Sequence, residues 1–173
     1  MEKAVRSEHA PMFKRLALIG VGLIGSSISH AARRAGLVGE IVGASPTPAT
    51  RERAEEPGLV TKMYADPADA VRGADLVILC SPVGTYEAVA KAIGSHLEQG
   101  AIVTDVGSVK CAVVRDVAPH VPEGVHFIAG HPIAGTEQSG PDAGFAELFD
   151  GRWCILTPGD AADKDALAKL QEF

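Results

Sequence analysis

Cysteine is scarce and unpatterned in this 173-residue chain: Cys80, Cys111 and Cys154 are odd in number, lie far apart and form no Cys-x-x-Cys pair. That excludes a disulfide framework, suggests no zinc site or other metal centre, and fits a reducing, cytoplasmic setting. No apolar run approaches the length needed to cross a bilayer, and residues 1–12 lack the apolar stretch of a secretory leader, so no membrane partner is expected. Basic residues form no stripe and the formal net charge is −6, which argues against nucleic acid, because neutralising phosphates takes clustered lysine and arginine. The same balance requires an anionic substrate to be met by locally focused positive groups. Internal repeats and low-complexity tracts are absent as well.

What is present is apolar and regularly punctuated. A hydrophobic content of 46% is ample for one core at this length. Strand-like runs at 16–19, 40–44, 63–65, 76–80, 102–105, 127–129 and 154–156 alternate with helical segments near 23–35, 48–56, 67–71, 86–96, 109–117 and 143–148. Strand and helix in alternation predict an α/β fold, a doubly wound and mostly parallel sheet with right-handed crossovers. Residues 1–12 read as a polar, mobile tail and 13–158 as the folded unit. Residues 159–173 read as the start of a linker or helix, with Leu167 and Leu170 on one side of it.

The most informative stretch joins the first strand to the first helix. Leu16-Ala17-Leu18-Ile19 runs directly into Gly20-Val21-Gly22-Leu23-Ile24-Gly25, and Ile24, Ile28, Ala31, Ala32 and Ala35 then recur at helical spacing until Gly36 supplies a stop. A G-x-G-x-x-G turn in that context binds a dinucleotide in a Rossmann-like fold. Gly20 makes the tight turn, Gly22 admits the pyrophosphate to the backbone, and Gly25 allows close helix packing. Leu23 and Ile24 stand at the helix N-terminus, whose amides and dipole face the phosphates. Twenty residues on, where an acid usually binds the adenosine ribose, stands Ser45. Ser45, Thr47 and Thr50 could hydrogen-bond a 2′-phosphate and Arg51 or Arg53 neutralise it, which tilts the cofactor from NAD toward NADP; alternatively these residues only cap and solvate the next helix.

Three further segments leave carboxyl ends of strands, where open α/β sheets bind ligands. Ser81-Pro82-Val83 follows the fourth strand and Asp105-Val106-Gly107-Ser108-Val109-Lys110 the fifth. Ser108 is a candidate site residue or a helix cap, and Lys110 a ligand or a solvated lysine. His131 leaves the sixth strand into the loop Pro132 to Gly140. There an imidazole could take a proton as a hydride departs; the other five histidines read as structural or exposed.

Taken together, G-V-G-L-I-G, S-P-V, D-V-G-S-V-K, G-H-P-I-A-G-T-E-x-S-G and L-x-x-G-R-x-x-I-L-T-P, in this order, resemble the prephenate and arogenate dehydrogenases of tyrosine biosynthesis over residues 13–158. The resemblance implies oxidative decarboxylation of a cyclohexadienyl acid with hydride transfer to NAD or NADP. It implies that His131 bonds the ring hydroxyl and accepts its proton, that Ser108 orients both, and that Thr136 and Glu137 lie near the pocket rim. Gly20, Gly22 and Gly25 would hold the pyrophosphate, with Ser81 and Pro82 beside the cofactor. It also implies a helical second domain, absent from this sequence, that completes the substrate site and forms a homodimer. The chain alone is therefore expected to bind cofactor, turn over little and, through an exposed apolar side of its last helix, associate.

Two other readings share the cofactor fold. An imine reductase or 3-hydroxyacid dehydrogenase is not expected to carry H-P-I-A-G-T-E after the sixth strand. A nucleotide-sensing regulatory domain predicts an attached DNA-binding or channel module and no histidine at the nicotinamide.

Overall fold

The computed structural model describes residues 10–173; residues 1–9, most of the expected tail, lie outside the described residues. All seven expected strands form: β1 (Phe13–Ile19), β2 (Val38–Ala44), β3 (Lys62–Tyr64), β4 (Leu76–Leu79), β5 (Ile102–Asp105), β6 (His126–Pro132) and β7 (Cys154–Pro158). They make one sheet in the order β3-β2-β1-β4-β5-β6-β7. Every neighbouring pair is parallel except β6 with β7. The order reverses between β1 and β4, the switch point that gives a doubly wound sheet its ligand crevice. β4 and β5 are buried along their whole length, as strands covered on both faces must be.

The helices are α1 (Leu23–Ala35), α2 (Pro48–Glu55), α3 (Pro67–Ala70), α4 (Tyr86–Ile93), α5 (Lys110–Val117) and α6 (Lys164–Glu172). Their ends follow local chemistry. Gly36 closes α1 with a left-handed φ of 68°, and its amide donates to the Arg33 carbonyl. Asp66 caps α3 by accepting from the Ala68 amide at 2.9 Å. Alternation along each strand sends side chains to two separate cores. On one face Ala17, Val77 and Val103 meet α3, α4 and α5 through Ala70, Tyr86, Ile93 and Val113. On the other, Leu16, Leu18, Ile78 and Ile128 meet α1, α2 and α6 through Ala32, Ala54, Ala166 and Leu170.

Four expectations need correcting. The face of α1 that enters the protein carries Ser26, Ser27 and Ser29, all fully buried, while Ile24 and Ile28 are only half-buried. The serines are satisfied internally: Ser26 Oγ donates to the Gly22 carbonyl at 2.7 Å, and Ser29 Oγ donates to the Leu59 carbonyl. The helix expected at 143–148 is instead two 3-10 turns, Pro141–Ala143 and Ala146–Phe149, separated by Phe145 and by Gly144, whose backbone lies against Ser26 too closely for any side chain. The helix expected to run from 86 to 96 stays α-helical only to Ile93, and residues 94–96 tighten into a 3-10 turn. Finally, α6 does not expose its apolar side. Ala166 and Leu170 are buried on the sheet, and Phe173 packs edge-on against Phe13 with ring centroids 5.6 Å apart.

Among the described residues no helix is long and apolar enough to cross a membrane. Because α6 is part of the second core, Leu170→Ala should cost about 2–4 kcal/mol, the usual range for a buried leucine. Urea denaturation measures this, and an unchanged midpoint would show that α6 is not part of the folded unit.

Candidate active site

The three glycines of the turn after β1 are required for three different reasons. Gly20 has φ of 94°, and a Cβ there would lie 2.7 Å from the Ser81 amide nitrogen. A Cβ at Gly25 would lie 2.6 Å from the Gly20 carbonyl oxygen, so α1 can approach the turn this closely only without a side chain. At Gly22 a Cβ would meet nothing within 4 Å. That open side, rather than internal crowding, is where a phosphate group can come against the backbone.

The N-terminus of α1 suits an anion. Gly22 is the cap residue and makes no side-chain cap bond, and the first turn holds no acidic residue. The amides of Leu23, Ile24 and Gly25 have no carbonyl of their own helix to bond, and they stand at the positive end of the dipole. These groups fit the pyrophosphate of a dinucleotide.

The ribose corner at the end of β2 is tightly tied. Ser45 is buried, its amide donates to the Tyr64 carbonyl at 3.0 Å, and its Oγ accepts from the Thr47 amide at 3.3 Å. Thr47 caps α2 by position without a side-chain bond. Arg51 Nη1 donates to the carbonyls of Ser45 and Pro46, at 2.8 and 3.0 Å, which fixes its guanidinium at this corner. Arg53 points elsewhere, paired with Asp142.

Along the rim, Ser81 shares a hydrogen bond of 2.9 Å with Thr85, and the Pro82 carbonyl accepts from Thr85. Ser108 is exposed and caps nothing, since the cap position of α5 falls to Val109 and makes no side-chain bond. Its hydroxyl is left for another partner. Lys110, expected as a cofactor ligand or a solvated lysine, is engaged internally, with its Nζ donating to Asp105 Oδ2 and to the Gly130 carbonyl.

His131 lies within β6 rather than in the loop beyond it. The strand is longer than expected because β7 returns antiparallel and pairs with it through the rim, His131 opposite Ile155 and Pro132 opposite Cys154. The imidazole is half-buried and stands on regular backbone, a more rigid mount than a loop. After Pro132 the chain makes a long excursion that returns over α1, where the Phe145 amide donates to Ser27 Oγ at 3.2 Å. Thr136 and Glu137 are exposed on this excursion, with Thr136 Oγ1 accepting from the Gln138 amide. Thr136 shares a cavity of about 450 Å³ with Ile133, Phe145 and Arg152. A second, larger and mainly apolar cavity of about 510 Å³ lies on the sheet face between α1, β7 and α6.

Two thiols near the rim stay protonated at neutral pH. Burial, with a smaller contribution from Asp105, pushes Cys80 up, and burial likewise raises Cys154. Neither of these two thiols is therefore activated as a nucleophile. Among the described residues no group of histidine, cysteine and carboxylate could hold a metal ion. The arrangement is an anion-binding helix end beside a rim that offers one imidazole and one free hydroxyl, suited to moving a proton next to a bound dinucleotide. Sequence reasoning gave no role to Asp105 or Arg152, although both lie within its motifs. A carboxylate ending an apolar strand, with a lysine five residues on, was the available signal for Asp105, because a buried charge must be paired.

The family model for the prephenate dehydrogenase nucleotide-binding domain matches residues 28–173. The chain is 39% identical to a cyclohexadienyl dehydrogenase of Zymomonas mobilis over 162 residues, covering 94% of this chain and 55% of that one. It is 32% identical to a prephenate dehydrogenase of Bacillus subtilis, covering 90% and 42%. Among solved structures it is similar to an A. aeolicus prephenate dehydrogenase in complex with hydroxyphenyl propionate and NAD+, with 34% identity, a TM-score of 0.84, and coverage of 92% and 55%. The chain thus spans about half the length of the relatives it matches.

The glycine roles predict a separation of stability from binding. Gly25→Ala should lower stability by about 1–3 kcal/mol, as overpacking does, because the Gly20 carbonyl has nowhere to move. Gly22→Ala should melt within a few degrees of the unmodified chain yet bind dinucleotide at least ~10-fold more weakly, since the methyl group occupies the phosphate approach. Thermal melts and cofactor fluorescence titrations read the two effects, and equal affinity in Gly22→Ala would move the phosphates off this turn.

Proposed function

This chain belongs to the prephenate dehydrogenase family as its nucleotide-binding domain, and from that membership we propose that the complete enzyme oxidatively decarboxylates prephenate or arogenate. The observation that carries the reading is the rim itself. His131 and the free hydroxyl of Ser108 stand at the carboxyl ends of adjacent strands, joined through Lys110 and Gly130, in the same sheet end as the glycine turn.

The bound nicotinamide supplies the hydride acceptor, and loss of carbon dioxide from the ring aromatises it and supplies the driving force. The protein has to hold the substrate and manage one proton. In this reading His131 accepts the proton of the ring hydroxyl, which requires its neutral imidazole, and Ser108 bonds the same hydroxyl and holds it toward the ring nitrogen. Thr136 and Glu137, on the exposed excursion, line the entrance. The remaining substrate contacts, and those of a homodimer, come from the region of the relatives beyond the matched span.

For the cofactor we assign NADP over NAD. No carboxylate stands at the end of β2 to repel a 2′-phosphate, Ser45 is there instead, and the Arg51 guanidinium is anchored beside it. Ser45→Asp should weaken NADP more than NAD by placing a negative charge against that phosphate. Separate titrations of the unmodified chain with the two dinucleotides test the assignment directly, and tighter NAD binding reverses it.

His131→Asn keeps a hydrogen-bonding side chain of similar reach but no base. In the complete enzyme kcat should fall about 10²-fold or more, the range of general base catalysis, while dinucleotide affinity stays nearly constant. Near-normal kcat would mean that the proton leaves by another route.

A further inference from the structure

The Asp105 side chain is 0% exposed and accepts three hydrogen bonds, yet the proton transfer from ring hydroxyl to imidazole makes no use of it. Its Oδ1 accepts from the Gly130 amide at 3.0 Å, and its Oδ2 accepts from the Gly107 amide at 2.7 Å and from Lys110 Nζ. Lys110 Nζ also donates to the Gly130 carbonyl. Both backbone groups of the residue before His131 are thereby held by one ion pair, and the residue before Ser108 is held by the same carboxylate.

Two further observations show a built contact. The parallel register between β5 and β6 pairs only Ile102 with His126 and Val103 with Phe127, so at the rim the Asp105 side chain takes over from the backbone ladder. Both glycines are needed for the approach. A Cβ at Gly130 would lie 2.8 Å from the Asp105 carbonyl oxygen and 2.9 Å from Thr104 Oγ1, and one at Gly107 would lie 2.8 Å from Val83 Cγ2 and 3.1 Å from Asp105 Oδ2.

We propose that Asp105, with Lys110, is a positioning pair that sets the spacing between the Ser108 hydroxyl and the His131 imidazole, and so governs turnover without contributing to dinucleotide affinity. The inference rests on the proton-transfer role proposed above for those two residues. Lys110 acts on β6 rather than on the cofactor. A small misplacement of two groups that must share one proton is enough to lower the rate steeply.

The test uses the complete enzyme with Asp105→Asn, which keeps the shape and one acceptor but removes the charge, and with Lys110→Gln, which spares the carboxylate should the first variant fail to fold. In either, kcat should drop about 10-fold or more while the dissociation constants for NAD and NADP stay within about 3-fold. Hydrogen exchange by mass spectrometry should show faster exchange in peptides covering 105–110 and 128–132, with the peptide covering β1 unchanged. Unchanged exchange in those peptides overturns the proposal, as does faster exchange with normal kcat. A 10-fold loss of dinucleotide affinity at constant kcat also overturns it, by returning Lys110 to the cofactor site. An unmodified enzyme that binds dinucleotide but oxidises neither ring acid overturns the functional reading and the pair's part in turnover with it. The exchange data tell that failure apart from failure of the contact itself.

Discussion

Where β1 ends, backbone presses on backbone. Gly20 fits against the end of β4 at Cys80 and Ser81, and Gly25 fits against Gly20, with no room at either for a methyl group. This double approach fixes β1, β4 and α1 relative to one another at the place where the strand order reverses. The ladder supports it on both sides, since the Gly20 amide donates to Ala44 and the Cys80 amide to Ile19. Loops leaving neighbouring strands on either side of that reversal turn to opposite faces, and the crevice between them opens because α1 starts so close to the sheet. Moving the helix outward by one methyl radius would misdirect its amides and unseat the serine-lined face that the 133–150 excursion rests on.

The two halves of the crevice use different means. On the β1–β2 side the groups on offer are mainly backbone: helix amides, an open glycine and carbonyls that hold Arg51 in place. On the β5–β6 side they are a few side chains whose backbone is clamped from beneath. The division matches the roles proposed for the two sides. A pyrophosphate needs several weak donors in a fixed arc, whereas a proton transfer needs one basic nitrogen at one distance. The ion pair beneath the second half is costly to bury, and it is tolerated because two backbone amides and the Lys110 ammonium donate to the carboxylate, with both of its oxygens bonded.

Strands were legible because parallel strands covered on both faces read as unbroken apolar runs, as Leu76–Leu79 does. The glycine turn was legible because each glycine answers a separate steric demand. The face of α1 was not, since Ser26 and Ser29 satisfy their hydroxyls on nearby carbonyls and then pack as small residues, which a count of apolar positions assigns to solvent. Nor could the length of β6 be read from Gly-His-Pro. Its last residues are strand only because β7 comes back alongside them, a contact made by residues more than twenty positions away. The role of Lys110 was hidden for a similar reason, because its second partner is a carbonyl on β6 and carbonyls leave no trace in a sequence.

The edge-on contact between Phe13 and Phe173 has a consequence in time. One ring starts β1 and the other closes α6, so β1's apolar face over Phe13, Leu16 and Leu18 stays incompletely covered until α6 has left the ribosome. At about 5–20 residues per second that is a wait of roughly 10–30 s. During it the apolar face of β1 is already outside the tunnel and has only α1 and α2 for shelter. Slower synthesis between β1 and α6 therefore lengthens the exposure of that face, whatever the stability of the finished fold.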